Sequence, residues 1–253
     1  MDLGLTGKTA VVTGASRGIG LAAVRALISE GVRVAGACRT PTQELIESGA
    51  HVVPVDLSAP EGAATLVTAA QAALGGVDLL VNNAGGGDGM TLAGFAEVDD
   101  AAWQSALDLN LLAAVRVTRA ALPALTARGG VVVNVSSIGA WQPAGPPLAY
   151  NVAKAALKAF GRGLATEVGP QGVRVLTVTP GPTRTAMWSQ MAALVGAPVE
   201  AVIAGVPEQM GMVTGRITEP DEVAALIAFL LSPRAGNITG SDHLIDGGAI
   251  RTA

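Results

Sequence analysis

Short apolar runs rich in β-branched residues alternate with longer segments of helical periodicity along all 253 residues of the chain. Most of the short runs are continuously apolar, which is typical of strands covered on both faces. The alternation predicts an α/β fold, a doubly wound parallel sheet of seven strands with helices on both faces. The predicted strands are 8–14, 32–39, 51–56, 77–83, 130–136, 173–179 and 243–246, and the predicted helices lie near 18–30, 60–74, 99–122, 149–168 and 219–231.

One segment interrupts this rhythm. Residues 186–217 are rich in Met, Gly and Val and are predicted to be an inserted lid. No linker, repeat or low-complexity tract divides the rest, so we predict one domain over residues 1–253. The apolar run 223–231 suits a buried helix face or an interface between copies of the chain.

Composition excludes several classes of function. Half of the residues are hydrophobic, yet no uncharged apolar run reaches the roughly 18 residues of a membrane-spanning helix. The net charge of −4 and the lack of basic runs argue against nucleic acid as a partner. The single cysteine, Cys38, and only two histidines argue against a structural zinc site. With no signal peptide apparent, we expect a cytoplasmic protein that contacts no membrane.

A glycine-rich stretch, TGASRGIG, follows the first predicted strand and begins the first predicted helix. Glycines there permit a tight turn and let backbone N–H groups approach a phosphate at the helix N-terminus. The spacing is G-x-x-x-G-x-G instead of the commoner G-x-G-x-x-G, so a turn without a ligand remains an alternative. The candidate contacts are Gly14, Ser16, Arg17, Gly18, Ile19 and Gly20.

The end of the second predicted strand indicates which dinucleotide would bind. An NAD site usually places a carboxylate there for the ribose hydroxyls, whereas this strand ends at Arg39 and Thr40. The planar guanidinium of arginine bonds phosphate oxygens in pairs, and Arg17 stands in the glycine-rich turn nearby. Either arginine alone could be a solvated surface residue, but the two together favour NADP(H) over NAD.

Tyr150, the only tyrosine, precedes Lys154 by four residues in a predicted helix. Side chains at this spacing share a helix face. A nearby cation lowers the pKa of a phenol from about 10, which makes it a usable acid and base near neutrality. The spacing also occurs by chance, and many tyrosines only pack at a surface.

Two further positions support the prediction that Tyr150 acts as an acid and base. Ser136 or Ser137 ends an apolar strand, and ligands sit at the carboxyl edge of parallel sheets, although a serine there can also be a turn residue. Asn110 falls inside a long predicted helix, where asparagine is unfavourable. It is either solvated, or it bends the helix and holds a water molecule.

These motifs occur in a fixed order with characteristic spacings. They are TGASRGIG at 13–20, Asp56-Leu57, NNAG at 82–85, Asn110, Ser137, YNVAK at 150–154, PGPTRT at 180–185 and IDGG at 245–248. In this ordered set, from about residue 5 to 249, the chain resembles the classical short-chain dehydrogenase/reductase family, and the arginine pair resembles its NADP-preferring branch. The resemblance implies a single-domain Rossmann fold and often a homotetramer, or a homodimer.

The resemblance also implies roles for individual residues. The catalytic set would be Asn110, Ser137, Tyr150 and Lys154, with Tyr150 as the proton donor to a carbonyl oxygen that Ser137 binds. Lys154 would lower the Tyr150 pKa and bind the nicotinamide ribose, while Asn110 would hold a water linking Lys154 to solvent. The cofactor would further be bound by Asp56, Leu57, Asn83, Ala84, Gly85, Pro180, Gly181, Thr183 and Thr185.

The substrate is less constrained. Trp141, Gln142, Met187 and Trp188 are candidate substrate contacts. An apolar, Met-rich lid suggests an apolar ketone or aldehyde, since methionine adapts to irregular shapes. A 3-oxoacyl thioester on an acidic carrier protein is a further alternative, for which the lid offers only Arg184 and Arg216 as basic contacts. The apolar residues could equally pack in the lid's own core or against a neighbouring subunit. The sequence therefore predicts an NADP(H)-dependent oxidoreductase with a small carbonyl or alcohol substrate, and a non-catalytic NADP(H)-binding sensor is the alternative.

Overall fold

A computed structural model describes residues 2–86, 93–143 and 147–251. Its seven strands form one parallel sheet in the order β3-β2-β1-β4-β5-β6-β7. All seven predicted strands are confirmed, with small differences at their ends. They are β1 (Thr9–Thr13), β2 (Arg33–Cys38), β3 (His51–Pro54), β4 (Leu79–Asn82), β5 (Val131–Val135), β6 (Arg174–Pro180) and β7 (Asp242–Ile245).

Helices connect the strands and cover both faces of the sheet. They are α1 (Gly18–Ser29), α2 (Gln43–Glu47), α3 (Gly62–Leu74), α4 (Asp100–Leu107), α5 (Ala113–Arg128), α6 (Leu148–Val168), α7 (Met187–Val195), α8 (Val199–Gln209) and α9 (Pro220–Leu231). The helix after β2 has only five residues because few residues separate β2 from β3.

Two apolar cores lie on opposite faces of the sheet. Along β1, Ala10 and Val12 face a core with α1 and α9, whereas Val11 faces a second core with α3, α5 and α6. Every residue of β1, β4 and β5 is buried, as the continuous apolar runs predict. The doubly wound Rossmann fold expected from the sequence is therefore confirmed.

The order of the strands reverses between β1 and β4, because β2 and β3 are added on one side of β1 whereas β4 to β7 are added on the other. Ligands of open parallel sheets bind at the carboxyl edge beside this switch point. The loops that follow β1, β4, β5 and β6 begin at that edge, and they contain most of the predicted site residues.

Residues 186–217 contain helices α7 and α8, which pack on each other around a small apolar core of their own. The two ends of this insertion are joined, because the Arg184 N–H donates to the Thr218 carbonyl and the Thr218 N–H donates to the Pro182 carbonyl, both at 2.8 Å. Across the described ranges, every helix is too short or too polar to cross a bilayer.

Candidate active site

The glycine-rich stretch forms a tight turn between β1 and α1. Gly14 and Gly18 have φ angles of 64° and 55°, a region that favours glycine. A Cβ on Gly14 would lie 2.9 Å from the Ala84 Cα, and one on Gly20 would collide with the Gly14 carbonyl. The turn therefore needs glycine at these positions, and it leaves the first N–H groups of α1 facing outwards.

Asn83 braces this turn from the end of β4, a role that the sequence did not reveal. Its side-chain amide donates to the Thr13 and Gly14 carbonyls at 3.0 and 3.1 Å. The Thr13 hydroxyl in turn accepts from the backbone N–H groups of Asn83 and Ala84, both at 2.9 Å. The NNAG segment thus fixes the shape of the glycine turn, and the Asn83 side-chain amide is used for these two hydrogen bonds.

The exposed end of β2 places positive charge beside the turn. Arg39 and Thr40 are exposed there, and Arg17 occupies the N-cap position of α1 with an exposed side chain. Thr42, which sequence reasoning missed, donates its hydroxyl to the Ser16 carbonyl at 2.8 Å and accepts from the Leu45 N–H as the cap of α2. This threonine ties the glycine turn to the segment after β2.

The Asp56-Leu57 motif after β3 is held in place by local hydrogen bonds. Asp56 accepts hydrogen bonds from the Ser58 hydroxyl and N–H at 2.7 and 2.9 Å. These bonds hold the pKa of the Asp56 carboxyl below its ordinary value, and the charge of Arg39 adds to the effect. Leu57 is buried in the core with α3, so only its backbone can face a ligand.

Tyr150, Ser137 and Lys154 meet at the carboxyl edge of the sheet. The Ser137 hydroxyl lies near enough to the Tyr150 hydroxyl to affect its pKa, and the Lys154 ammonium lies 5.8 Å from the centre of the tyrosine ring. Lys154 is only 3% exposed and donates to the Val135 carbonyl at 2.9 Å. Ser136, the other candidate serine, is buried and donates to the Lys154 carbonyl at 3.0 Å.

The pKa values of Tyr150 and Lys154 are both shifted by burial. Burial raises the pKa of Tyr150 above its ordinary value, although the Ser137 hydroxyl counteracts part of the effect. Burial also lowers the pKa of Lys154 to about 8. In the ligand-free protein, the lowered phenol pKa predicted from the sequence is therefore wrong in direction, because desolvation outweighs the effect of Ser137.

Asn110 lies in a π-helical turn, Asp108–Leu112, between α4 and α5. Its side chain is 1% exposed, donates to the Ala106 carbonyl at 3.0 Å and accepts from the Gly86 N–H at 2.7 Å. The single long helix predicted over 99–122 is thus interrupted by this turn. Of the two alternatives for Asn110, the solvated one is wrong, while the water that it would hold stays a prediction.

Gly85 lies against both Asn110 and Lys154. A Cβ at Gly85 would lie 2.8 Å from the Asn110 Oδ1 and 2.8 Å from the Lys154 Nζ. The end of β4 therefore approaches the catalytic set closely, which only glycine allows. π-Helical turns are frequent at functional sites, and this one lets Asn110 face inwards.

The segment after β6 borders the glycine turn. A Cβ on Gly18 would lie 3.1 Å from the Thr185 methyl group, so Thr185 packs beside the N-terminus of α1. Thr183 donates its hydroxyl to the Gly181 carbonyl at 3.0 Å, and Pro180 is the last residue of β6. A cleft of about 400 Å³ lies here, and Arg17, Gly18 and Thr185 are among its lining residues.

The four candidate substrate contacts occupy different environments. Trp188 is 7% exposed, belongs to the small core of the insertion and donates its indole N–H to the Thr183 carbonyl at 2.8 Å. The alternative of packing in the lid's own core therefore applies to Trp188. Met187, Trp141 and Gln142 are exposed near the carboxyl edge.

The described residues fit a nicotinamide dinucleotide. The glycine turn is a cradle that a Cβ would fill, and the N-terminus of α1 supplies donors for a diphosphate. No carboxylate ends β2, where the exposed Arg39 and Thr40 stand instead. No cluster of three or more metal-binding side chains occurs among residues 2–86, 93–143 and 147–251.

Comparison with known proteins agrees with this geometry. A family model described as enoyl-(acyl carrier protein) reductase matches residues 14–249. L-xylulose reductase of Bos taurus is 37% identical, with all of both chains covered. The 3-oxoacyl-(acyl-carrier-protein) reductase FabG of Vibrio cholerae is 34% identical, covering 97% of this chain and 98% of its own.

Solved structures resemble the chain over its full length. The structure of L-sorbose reductase from Gluconobacter frateurii, complexed with NADPH and L-sorbose, has a TM-score of 0.93 and 36% identity, with all of both chains covered. An NADPH-bound short-chain oxidoreductase from Pseudomonas aeruginosa has a TM-score of 0.87 and 32% identity, covering 97% of this chain and 98% of its own. The chain therefore belongs to the classical short-chain dehydrogenase/reductase family of oxidoreductases.

Proposed function

We propose that the chain is an NADP(H)-dependent carbonyl reductase. The observation that carries this proposal is the meeting of Ser137, Tyr150 and Lys154 beside the glycine cradle. The arginines at the cradle, Arg17 and Arg39, support NADP(H) over NAD. Two of the similar solved structures contain NADPH, which supports the same choice.

Each member of the set has a chemical task. NADPH, when bound, supplies the hydride that reduces a carbonyl carbon. Ser137 would bind the carbonyl oxygen, and Tyr150 would give its hydroxyl proton to that oxygen as negative charge develops there. Lys154 holds a proton with a pKa near 8 beside the phenol, so it would favour the tyrosinate left after the transfer.

Other residues hold this set in place. The Val135 carbonyl and the buried Ser136 fix Lys154, and the π-helical turn fixes Asn110 against Gly86. We propose that residues 186–217 close over the substrate as a lid. The backbone hydrogen bonds that Thr218 forms with Pro182 and Arg184 would hold the two ends of the lid together while α7 and α8 move as one unit.

For the substrate we propose a small, free hydroxyketone. Of the apolar residues that suggested an apolar substrate, Trp188 is used within the insertion, where it is buried in the small core. The similar sugar reductases act on L-xylulose and L-sorbose by their names, which supports a polar ketone.

A carrier-bound acyl substrate is less well supported. The carrier is acidic, and the two arginines at the ends of the insertion, Arg184 and Arg216, are already paired. Arg184 forms ion pairs with Glu200 and Glu219 at 3.1 and 3.0 Å, and Arg216 pairs with Glu222 at 2.7 Å. An apolar ketone stays a second candidate, because Met187 and Trp141 are exposed near the edge of the site.

The test is the rate of NADPH oxidation with ketopentoses, ketohexoses, cyclic and aliphatic ketones and 3-oxoacyl thioesters. We expect kcat/KM for at least one ketose to exceed that for every thioester by about tenfold or more, since a pocket built for hydroxyls rejects analogues that lack them. A thioester or an apolar ketone ranking first would overturn the substrate proposal. Tight NADPH binding without turnover of any carbonyl would favour the non-catalytic sensor. Assembly as a homotetramer or homodimer and a cytoplasmic location stay predictions.

A further inference from the structure

Trp141, Lys158 and Asp242 meet on the surface of α6. The Lys158 ammonium lies 3.6 Å from the centre of the Trp141 ring and 2.9 Å from the Asp242 Oδ2. The Trp141 indole N–H donates to the same carboxylate oxygen at 2.8 Å. Each of the three side chains thus contacts the other two, and we call this closed set the tryptophan clamp.

The clamp is anchored in the sheet, and its ion pair is largely shielded from water although Trp141 is exposed. Asp242 lies in β7, and its other carboxylate oxygen accepts from the Thr179 hydroxyl of β6 at 2.5 Å. The side chains of Lys158 and Asp242 are 20% and 16% exposed. Ion pairs and cation–π contacts strengthen as water is excluded, so this set is more than a solvated surface pair.

Two of the three residues, Trp141 and Lys158, belong to the elements that carry Ser137, Tyr150 and Lys154. Trp141 closes the short turn that begins at Ser137, where the Ala140 N–H donates to the Ser137 carbonyl and the Trp141 N–H to the Ile138 carbonyl, both at 2.9 Å. Lys158 lies on α6, two turns after Tyr150. The clamp therefore joins the turn of Ser137 to the helix of Tyr150.

We propose that Trp141, Lys158 and Asp242 are positioning residues that set the Ser137 hydroxyl against the Tyr150 hydroxyl. The short turn that begins at Ser137 is fixed by the sheet at its β5 end. Its far end, at Trp141, is held by the tryptophan clamp. Without the clamp the turn can shift relative to α6, and the Ser137 hydroxyl moves away from the Tyr150 hydroxyl. The kinetic part of this proposal rests on the proposed reductase function.

The kinetic test compares Lys158→Met with Lys158→Arg. Methionine keeps the aliphatic stem but removes the charge that contacts both partners, whereas arginine keeps the charge. We expect Lys158→Met to lower kcat by about tenfold, because small misplacements of catalytic groups are costly, with the KM for NADPH changed less than about twofold. Lys158→Arg should recover most of the loss. Unchanged kcat in Lys158→Met, or an equal loss in both variants, would overturn the proposal.

A second readout does not depend on turnover. Tyr150 is the only tyrosine, so phenolate absorbance reports its ionisation alone. The Ser137 hydroxyl lowers the Tyr150 pKa, and Lys154 is the charged neighbour on its helix. Trp141→Phe changes no charge, and we expect it to raise the phenolate midpoint towards that of Ser137→Ala. Trp103→Phe on α4, the same chemical change elsewhere, should leave the midpoint unchanged.

The two readouts separate the possible failures. A wild-type midpoint in Trp141→Phe would overturn the positioning role, whatever the enzyme reduces. A raised midpoint in Trp141→Phe, in a protein that turns over no carbonyl, would support the positioning role while the proposed function fails. Thermal melting of each variant confirms that the folded protein is being titrated.

Discussion

Replacing Tyr150 by phenylalanine is expected to lower kcat by about a thousandfold or more, while the Kd for NADPH changes by less than about twofold. The substitution removes only the hydroxyl, which lies near Ser137 at the reacting edge of the site. Phenylalanine keeps the ring and its packing on α6. The loss should therefore fall on the proton transfer and not on folding or cofactor binding.

The comparison needs a variant of the same helix that leaves the hydroxyl in place. Val152 is exposed on α6, and Val152→Ala should retain nearly full activity. Steady-state rates with saturating NADPH and direct titration of cofactor affinity give the two quantities. Residual turnover of Tyr150→Phe above a few per cent would remove the phenol from the mechanism.

The second large effect is expected from Arg39→Asp, which should lower the ratio of kcat/KM for NADPH to that for NADH by about a hundredfold or more. Two charge-assisted hydrogen bonds to a phosphate are worth about 1.5–3 kcal/mol each, and a carboxylate adds repulsion. Aspartate at the end of β2 also supplies the group that binds ribose hydroxyls in NAD sites.

Arg119→Asp on α5 makes the same change of charge on another exposed position. Its ratio of kcat/KM for NADPH to that for NADH should match the ratio of the unmodified protein. This comparison separates a local contact of Arg39 from an effect of net charge. Both ratios come from initial rates with the same carbonyl. An unchanged ratio in Arg39→Asp would show that Arg39 is not the phosphate ligand.

The strands and the glycine turn could be predicted because their cause is local. A continuously apolar strand such as β1 must be covered on both faces, and Gly14 and Gly18 permit backbone angles that few other residues adopt. The short helix α2 follows from the number of residues available between β2 and β3. Each of these features depends on neighbours in the sequence.

The remaining features depend on contacts made across the fold. In the π-helical turn Asn110 bonds to Gly86, which is distant in the sequence, and the small core of the insertion includes Trp188. The pKa of Tyr150 depends on how fully the folded chain removes it from water, which the spacing to Lys154 cannot reveal. Asn83 likewise gains its bracing role only where β4 meets β1.

The most direct measurement is the absorbance titration of Tyr150 with and without NADP⁺. Burial places the midpoint of the ligand-free protein above about 10, the ordinary value for tyrosine. With NADP⁺ bound, we predict a midpoint below 10, because the positive charge of the oxidised nicotinamide ring adds to that of Lys154 and favours the phenolate. A single step that stays at or above 10 in the complex would contradict the claim that Lys154 and the cofactor make Tyr150 the proton-transferring group.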